Sequence, residues 1–524
     1  MNTIPAPPRV SSTRHDCGRP PAPLALRGRG MVRVLAWLGV AVLAASSAWA
    51  QKPPATSTRE TWDAIYLSNT KVGHIHTQIT PLVHNGRNLT RVQVTTVMDL
   101  KREKDVSRIE LRFGTIEAEG GEVLRIDSRI KMGGQDLQAG GDVVNGRMNF
   151  TLKTGGRTTS QIIEWTPETR GPYHPELDLK TNPLKPGESR TYRIFLPQLN
   201  QLALATLTGI GKETTPLYGA NREVYRVDGK VTDLNGKSIA GMNTTYYLNN
   251  EGEVVKTVTD VYGGMTTVRT TKETALAPGG SFDIVQNFII SSRFQIANPY
   301  QTRQVQYNVS MKDAAVASIF AVDNRQSLTP GSDPKTGRLV VRAMGPEDGQ
   351  PEPGPVAEEY LEPNPIVDSE DSRVVQHMKA AVGNATDPWT KAQRIQDWVH
   401  RNMVDKNFEV TFATASETAR ALSGDCTEHA VLVAAMCRAA KIPARVAIGF
   451  IYVDRLRGFG YHMWTEVYVN NRWVGIDASF QQNVVDAVHI KLKDTSLKGV
   501  SPFEQFQTVV ETASKLSIEP VEVR

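Results

Sequence analysis

Cysteine is scarce in this sequence, with three in 524 residues. Cys17 lies in the N-terminal leader, and Cys426 and Cys437 stand eleven positions apart in a stretch with helical periodicity. A helix rises about 1.5 Å per residue, so the two lie about 16 Å apart along its axis, whereas a disulfide needs Cα atoms within about 7 Å. They cannot pair with each other, which leaves a free thiol available for chemistry.

Excess positive charge is absent from the body of the chain. The formal net charge is +5, but residues 1–50 contain six arginines and one aspartate, which account for all of it. The rest of the chain is neutral overall, so the composition excludes a basic protein that is steered onto polyanions. We therefore expect no nucleic-acid partner.

Apolar runs long enough to span a membrane are also missing. After Met31 and Arg33, the apolar stretch Val34 to Ala45 is followed by Ala48-Trp49-Ala50, the order of a secretory signal peptide. The stretch is shorter than the roughly 20 residues of a membrane-spanning helix. This pattern predicts export to the periplasm or the extracellular space, cleavage after Ala50 and no membrane span in the mature chain. Translation starts at Met1 or Met31.

The sequence after the leader predicts two β-rich regions. Residues 51–275 alternate apolar and polar side chains, with polar turns between the runs and no convincing helix. Two stretches, Trp62 to Ile79 and Thr244 to Thr259, are each typical of a long hairpin in one large antiparallel sheet. Residues 276–344 predict a smaller β module. Its strand candidates are Phe282 to Phe294, Arg303 to Met311 and Leu339 to Ala343.

A proline-rich segment, 345–364, separates these regions from the last domain. Four of its prolines fall within ten residues, which favours an extended, semi-rigid linker. Residues 365–524 then switch to helical periodicity and afterwards to strands, the pattern of an α+β domain. The partner or ligand of the N-terminal β region is not identified by its sequence. The predicted divisions are 1–50 leader, 51–275 β-rich domain, 276–344 small β module, 345–364 linker and 365–524 catalytic domain.

The segment Ser423-Gly424-Asp425-Cys426 places a cysteine at the start of a helix. Asp425 is a good N-cap, and Glu428 three residues later completes a capping box. A thiol in the first helical turn lies at the positive end of the helix dipole, which favours the nucleophilic thiolate. Cys437 falls in the middle of the same helix and is predicted to be structural.

A hairpin downstream supplies the groups that a thiol nucleophile requires. If Asn470-Asn471 is its two-residue turn, His462 and Asp477 are diagonal neighbours on one face of the hairpin. Their backbones then lie about 7–8 Å apart, within reach of an imidazole–carboxylate hydrogen bond. A register slip of one residue would separate them.

These motifs resemble the transglutaminase-like superfamily, whose core is related to papain-like cysteine proteases. The resemblance covers about 365–490 and rests on GDCTEHAVLVAAMCRAAKIPARVAIGF and YHMWTEVYVNNRWVGIDASF. The family's nucleophile falls on Cys426, its His-x-Trp on His462 and Trp464, and its aspartate on Asp477. Met463, where many members carry alanine, is the one departure, and it lies on the opposite face of the strand.

The resemblance implies acyl transfer by a Cys426–His462–Asp477 triad acting on a protein or peptide, without a cofactor. Trp464 and His429 are implied to line the substrate pocket. Hydrolysis of a peptide or amide bond is the leading hypothesis, because water is always present and amine transfer needs a site that excludes it. The alternatives are a protein cross-linking transglutaminase and a non-catalytic binding or assembly protein that uses the fold.

Two further features have ordinary explanations beside functional ones. His74 and His76 form a His-x-His pair, but no other metal-ligand residues accompany them, so we expect no metal site. The segment between Val453 and Tyr461 contains Arg455 and Arg457. It predicts either a solvated loop or a mobile lid, made flexible by Gly458 and Gly460, whose arginines bind acidic groups near the scissile amide.

Overall fold

The computed structural model describes most of residues 57–524. The described ranges are 57–102, 105–132, 135–154, 157–197, 199–239, 241–261, 263–280, 282–283, 287–352, 354–403, 413–499, 509 and 512–524. The predicted signal peptide and its cleavage site lie outside them. Within these ranges no helix combines the length and apolar character needed to cross a membrane.

The N-terminal region forms one large sheet, as its period-two pattern predicts. The sheet has fifteen strands within the described residues, and all neighbours are antiparallel except β9 and β10. Its strands are β1 (Arg59–Leu67), β2 (Thr70–His84), β3 (Arg87–Arg102), β4 (Asp105–Ala118), β5 (Val123–Met132), β6 (Gln135–Val144), β7 (Arg147–Thr154), β8 (Arg157–Glu164), β9 (Thr169–Arg170), β10 (Ser189–Leu196), β11 (Gln201–Leu217), β12 (Ala220–Thr232), β13 (Thr244–Leu248), β14 (Val254–Thr259) and β15 (Met265–Thr270).

Tight turns set the order of this sheet. Strands β1 to β8 follow one another, strands β9 to β15 do the same, and β1 and β15 join the two halves. Both predicted hairpins are present, as β1–β2 and as β13–β14. At the first turn, Ser68 and Asn69 both have positive φ, which matches the right-handed twist of the strands.

Two short helices interrupt this region, where the sequence predicted none of convincing length. Helix α1 (His174–Thr181) has Pro175 in its first turn and buries Leu179, and helix α2 (Lys272–Leu276) is capped by Thr271. Helix α1 is only eight residues long, so its apolar pattern spans about two turns. That length is too short for a periodic signal.

The remaining strands form two smaller sheets. One sheet has the order β16–β21–β20–β23, with β22 paired to β21, and the other has the order β18–β19–β17–β24. The strands are β16 (Ile290–Ser291), β17 (Gln304–Met311), β18 (Gln326–Pro330), β19 (Thr336–Arg342), β20 (Ala444–Val453), β21 (Gly458–Val469), β22 (Arg472–Ile476), β23 (His489–Thr495) and β24 (Leu516–Val523).

Residues 276–344 are joined to the C-terminal region at the level of strands and core. Strand β16 pairs with β21, and β17 pairs with the C-terminal strand β24. One hydrophobic cluster extends from Ile290 to Ile518. The predicted strand Phe282 to Phe294 is wrong in extent, because in its described part only Ile290–Ser291 pairs as a strand, whereas β18 was not predicted.

Four helices pack beside the five-stranded sheet. They are α3 (Ser372–Val382), α4 (Pro388–Asn402), α5 (Ala415–Ala421) and α6 (Cys426–Ala439). Asp387 caps α4, and Pro388 occupies its first helical position, as predicted. Helix α6 is apolar nearly all round and is buried from Thr427 to Arg438, so it forms the centre of the domain.

The proline-rich segment lies along the β21–β22 turn and includes a short 3₁₀ helix at Glu358–Tyr360. The Asn470 side-chain amide donates to Glu347 at 2.6 Å, and the Glu352 backbone N–H donates to the Asn471 carbonyl at 2.8 Å. The segment is thus held against the hairpin that carries the site, which fixes its path.

Candidate active site

The start of helix α6 presents Cys426. The Asp425 side chain accepts from the Thr427 N–H at 2.7 Å, and the Glu428 carboxylate accepts from the Asp425 N–H at 2.9 Å, so the predicted capping box is present. Gly424 has φ +133°, and a Cβ there would lie 2.6 Å from the Glu428 side chain. Only glycine fits this close approach, which explains the Gly-Asp-Cys sequence.

The two cysteines of the domain differ in access to solvent. Cys426 is half-buried, whereas Cys437 is fully buried in the middle of α6. Burial raises the pKa of the Cys437 thiol far above its ordinary range. Cys437 is therefore held as an inert thiol, and Cys426 is the sulfur that a reagent can reach.

The β21–β22 hairpin has the register that its turn predicts. Asn470 and Asn471 both have positive φ, and Val469 pairs with Arg472. As a result, His462 Nε2 lies 2.6 Å from Asp477 Oδ2, and both side chains are almost completely buried. The predicted imidazole–carboxylate contact is confirmed.

The charge of His462 follows from its two neighbours. Burial disfavours the imidazolium, but the interactions of His462 with Asp477 and then with Cys426 outweigh burial, so the pKa of His462 is raised to about 9. Nε2 faces Asp477, and a hydrogen bond with Cys426 contributes to the same shift. The imidazole thus carries a proton between a carboxylate and a sulfur at neutral pH.

Asp477 is fixed by hydrogen bonds to its second oxygen and to the backbone around it. Its Oδ1 accepts from the Ser479 N–H at 2.7 Å and from the Ser479 hydroxyl at 2.6 Å. From helix α4, the Gln396 side chain donates to the Asp477 carbonyl at 3.3 Å, and His400 Nδ1 lies 2.7 Å from the Ala478 carbonyl. Helix α4 therefore holds the chain that follows β22.

A second histidine, His489 on β23, contacts the same carboxylate. Its Nε2 lies 3.1 Å from Asp477 Oδ2, its Nδ1 lies 2.8 Å from Asp486 Oδ1, and none of its surface is exposed. Burial opposes its protonation, but Asp486 and Asp477 together raise the pKa of His489. His489 thus lies on the side of Asp477 away from Ser479. Although burial opposes it, contacts with His462 and then with His489 hold the Asp477 pKa well below its ordinary value.

The upstream β module fixes this second histidine. The Arg325 guanidinium donates to the His489 carbonyl at 2.9 Å and to the Asp486 carbonyl at 2.8 Å. On the opposite strand, a Cβ at Gly449 would lie 1.9 Å from the Ile490 carbonyl oxygen, so only glycine lets β23 approach β20 here.

Sequence reasoning missed His489. Eleven residues separate it from Asp477, and no turn motif among them fixes the register of β23. The available signal was His489 and Lys491 alternating with the apolar Ile490 and Leu492 at the start of β23. A lysine on a buried face is almost never without a charged partner, so this pattern indicates a buried polar cluster.

His462, Asp477 and His489 are also the types of residue that bind metals. Their ligand atoms all lie within 4.8 Å of one another. Two ligands of one tetrahedral zinc ion lie about 3.3 Å apart, given metal–ligand distances of about 2.0–2.1 Å. The 2.6 Å between His462 and Asp477 is shorter and has the length of a charge-assisted hydrogen bond. The geometry favours a hydrogen-bonded chain over a metal centre.

Two predicted pocket residues are buried. Trp464 is fully enclosed, and its ring lies 6.1 Å from His462 and 5.3 Å from His489 between centroids. It packs against the two histidines, and contact with a substrate would require the site to open. His429 is also buried, with Nδ1 2.7 Å from the Asp425 carbonyl. The ring of Phe480, only half-buried, lies edge-on to His462 at 5.3 Å.

The predicted lid residues Arg455 and Arg457 lie between β20 and β21. Both arginines are exposed, but they lie in a short turn between β20 and β21. Gly458 belongs to β21 and is buried against β16, where a Cβ would lie 2.5 Å from the Ile289 side chain. Gly460 is likewise in the strand. The two glycines serve close packing in a paired strand, which corrects the prediction that they loosen the segment.

The His-x-His pair on β2 has neighbours of its own. His76 Nε2 lies 2.7 Å from a Glu60 carboxylate oxygen, and its ring stacks on Trp62 with centroids 3.8 Å apart. Trp62 also contacts His74 at 5.8 Å. These contacts give both histidines a packing role.

Comparison with known proteins identifies the superfamily to which the C-terminal domain belongs. Residues 376–478 match the model of the transglutaminase-like superfamily, so the chain carries a domain of that superfamily in its C-terminal part. No curated protein matches the chain.

Solved structures show distant likeness. A candidate cysteine protease from Cytophaga hutchinsonii is 14% identical over 42% of this chain and 86% of that chain, with a TM-score of 0.27. The periplasmic domain of TgpA from Pseudomonas aeruginosa, bound to ethylmercury, is 13% identical over 36% of this chain and 75% of that chain, with a TM-score of 0.25. At these TM-scores the likeness carries no argument about activity.

Proposed function

We propose that this protein is an exported, thiol-dependent hydrolase of peptide or amide bonds, with Cys426 as nucleophile, His462 as acid and base, and Asp477 as the group that orients His462. The observation that carries the proposal is the buried 2.6 Å contact between His462 and Asp477. Cys426 supports it, since it is close enough to the same imidazole to help raise the pKa of His462. The signal-peptide pattern of the sequence supports export.

The first step forms a thioester. The Cys426 sulfur attacks the carbonyl carbon of the substrate while the His462 imidazolium stabilises the thiolate. The carbonyl oxygen gains negative charge, and the Cys426 N–H, which has no acceptor within the helix at its first position, is placed to donate to that oxygen. His462 then gives its proton to the leaving amine, and the carbon–nitrogen bond breaks.

The second step releases the acid. Water attacks the thioester carbon and passes a proton to His462, the carbon–sulfur bond breaks, and the thiolate–imidazolium pair is restored. Asp477 keeps the Nε2–H of His462 directed away from the sulfur throughout. If a primary amine replaces water, the product is an isopeptide bond, which is the alternative that the sequence left open.

Selective alkylation tests the assignment of the nucleophile. Iodoacetamide at limiting concentration is expected to modify Cys426 in the folded protein and to leave Cys437 unmodified, because only Cys426 is accessible and lies beside an imidazolium. Peptide mapping by mass spectrometry identifies the labelled residue. Equal labelling of the two thiols, or preference for Cys437, would overturn the proposal.

The pH dependence of turnover tests the role of His462. Below about pH 9 the imidazole is protonated, and above it the proton for the leaving amine is lost, so kcat/KM for peptide aminomethylcoumarin amides is expected to fall as pH rises through about 9. The Asp477→Asn variant removes one negative neighbour, so its alkaline limb should move to lower pH. An unmoved limb in this variant would contradict the assignment.

A further inference from the structure

The large N-terminal sheet borders a partly open cavity of about 220 Å³. Its floor is a set of side chains on one face of β2 to β5. The pairing of these strands puts Ile75, Thr96, Leu111 and Ile130 in one cross-strand row. Residues paired across a sheet share a face, so the row points in one direction.

The opposite wall comes from the other half of the same sheet. Pro197, Met242, Val261 and Met265 line the cavity from the ends of β10, β13, β14 and β15. The sheet therefore turns back on itself, and residues from distant parts of the chain face each other across the cavity.

The chemistry of the lining is apolar. Ile75, Leu111 and Ile130 are only half-buried, so their apolar surface faces the open space. Arg112 also borders the cavity, but it alternates with Leu111 along β4, and its guanidinium lies 3.4 Å from Glu110. In the lining that the structure describes, no charged group therefore points inward, which favours an uncharged occupant.

The shape of the lining favours a flexible occupant. Met98, Met242 and Met265 all border the cavity. Methionine is unbranched and polarisable, and it adapts to ligands of irregular or variable shape. An apolar cavity of about 150 Å³ already holds one benzene molecule. A space of about 220 Å³ therefore fits several methylene groups of a chain but not a folded segment of protein.

One polar group in the wall needs a partner. Ser128 on β5 pairs with Phe113 on β4, in the cross-strand row beside the one that contains Ile130. Ser128 lines the cavity and is 8% exposed. Its hydroxyl has no hydrogen-bond partner among the described residues. Buried hydroxyls are normally hydrogen-bonded, so a polar group of a ligand would supply the hydrogen-bond partner that the Ser128 hydroxyl lacks.

We propose that the cavity binds one aliphatic chain that ends in an uncharged polar group, such as an alcohol or an ester, with the polar end at Ser128. This inference is independent of the activity proposed for Cys426. It assigns a binding role to the N-terminal sheet, for which the sequence identified no partner.

Calorimetric titration of the full chain with octan-1-ol tests the proposal. We expect saturable binding of one molecule, and weaker binding of octanoate, because no inward-pointing cation offsets its charge. Absence of saturable binding, or tighter binding of octanoate, would overturn the proposal.

Two variants locate the ligand. Ile130→Trp fills the cavity and is expected to weaken octan-1-ol binding by about tenfold or more, whereas Ile162→Trp, the same change at an exposed position of β8, should leave it unchanged. Ser128→Ala removes only the hydroxyl, so it keeps the fold and should weaken binding by several-fold. Equal affinities in wild type, Ile130→Trp and Ser128→Ala would show that octan-1-ol binds elsewhere. An equal loss of octan-1-ol affinity in Ile130→Trp and Ile162→Trp would also contradict binding in this cavity.

Discussion

The Cys426→Ala variant is expected to lower kcat/KM for peptide amides by about four orders of magnitude or more, since loss of a triad nucleophile leaves only binding and the oxyanion donor. The fold should be retained, because Cys426 is half-buried and the change removes one sulfur atom. The measurement is initial rate against substrate concentration, with the circular dichroism spectrum as a check of folding.

Cys437→Ala is the matched control. The same atom is removed from the same helix, but at a position that is fully buried and contacts no substrate in the proposed mechanism. Its kcat/KM should equal that of the wild type. If Cys426→Ala retained turnover, or Cys437→Ala lost as much, the reaction would depend on another group. The non-catalytic alternative would then gain support.

The second large effect concerns stability. The Lys491 ammonium, on β23, lies 3.0 Å from a Glu466 oxygen and 2.5 Å from an Asp323 oxygen, and both Lys491 and Glu466 are fully buried. Lys491→Met removes the charge and keeps the length of the side chain. The expected loss is about 3–5 kcal/mol of unfolding free energy, because a buried carboxylate loses a partner. Arg445, 2.7 Å from Glu466, remains and favours the lower end of that range.

Urea unfolding followed by fluorescence measures this effect. Lys498→Met is the control, because Lys498 pairs with Glu362 at 3.0 Å while more than half of it is exposed, and such pairs contribute little. Its unfolding midpoint should not move. Equal shifts for the two variants would refute a special role for the buried pair.

The same pair makes an acid-dependent contribution. Burial alone would raise the pKa of Glu466, but Lys491 and Arg445 outweigh it and lower the pKa to about 2. A carboxyl group whose pKa is lowered in the folded state stabilises the fold at pH values above its pKa in the unfolded chain. That contribution is lost as pH falls toward 2. Stability should therefore decline at acid pH in the wild type and less in Lys491→Met.

The position of Cys426 at a helix start and the contact between His462 and Asp477 were predictable because local rules determine them. The Asn470-Asn471 turn fixes the register of β21 and β22, which brings His462 to Asp477. The capping residues around Cys426 fix the start of its helix in the same way. The hairpin register follows from the turn type alone, and the helix start follows from the three-residue spacing of the capping box.

The parts that were missed depend on pairing between distant residues. Strand β24 pairs with β17, which lies about 200 positions earlier in the chain. No sequence motif in either strand identifies the other as its partner. The contact of His489 with Asp477 depends on where β23 lies beside β20, and a register shift occurs in that pairing. The cavity requires two halves of a fifteen-stranded sheet to face each other. Periodicity shows that strands exist but not which strands become neighbours.

Arg325 holds the backbone of Asp486 and His489, and this contact limits how the candidate active site can be transferred to another protein. A segment of residues 376–478 contains the proposed nucleophile, base and aspartate, yet it leaves behind His489 and the arginine that anchors it. Moved to another chain, that segment would bring its reactive groups without their support. The reactive groups and the support that holds them in register are thus encoded in different stretches of this sequence.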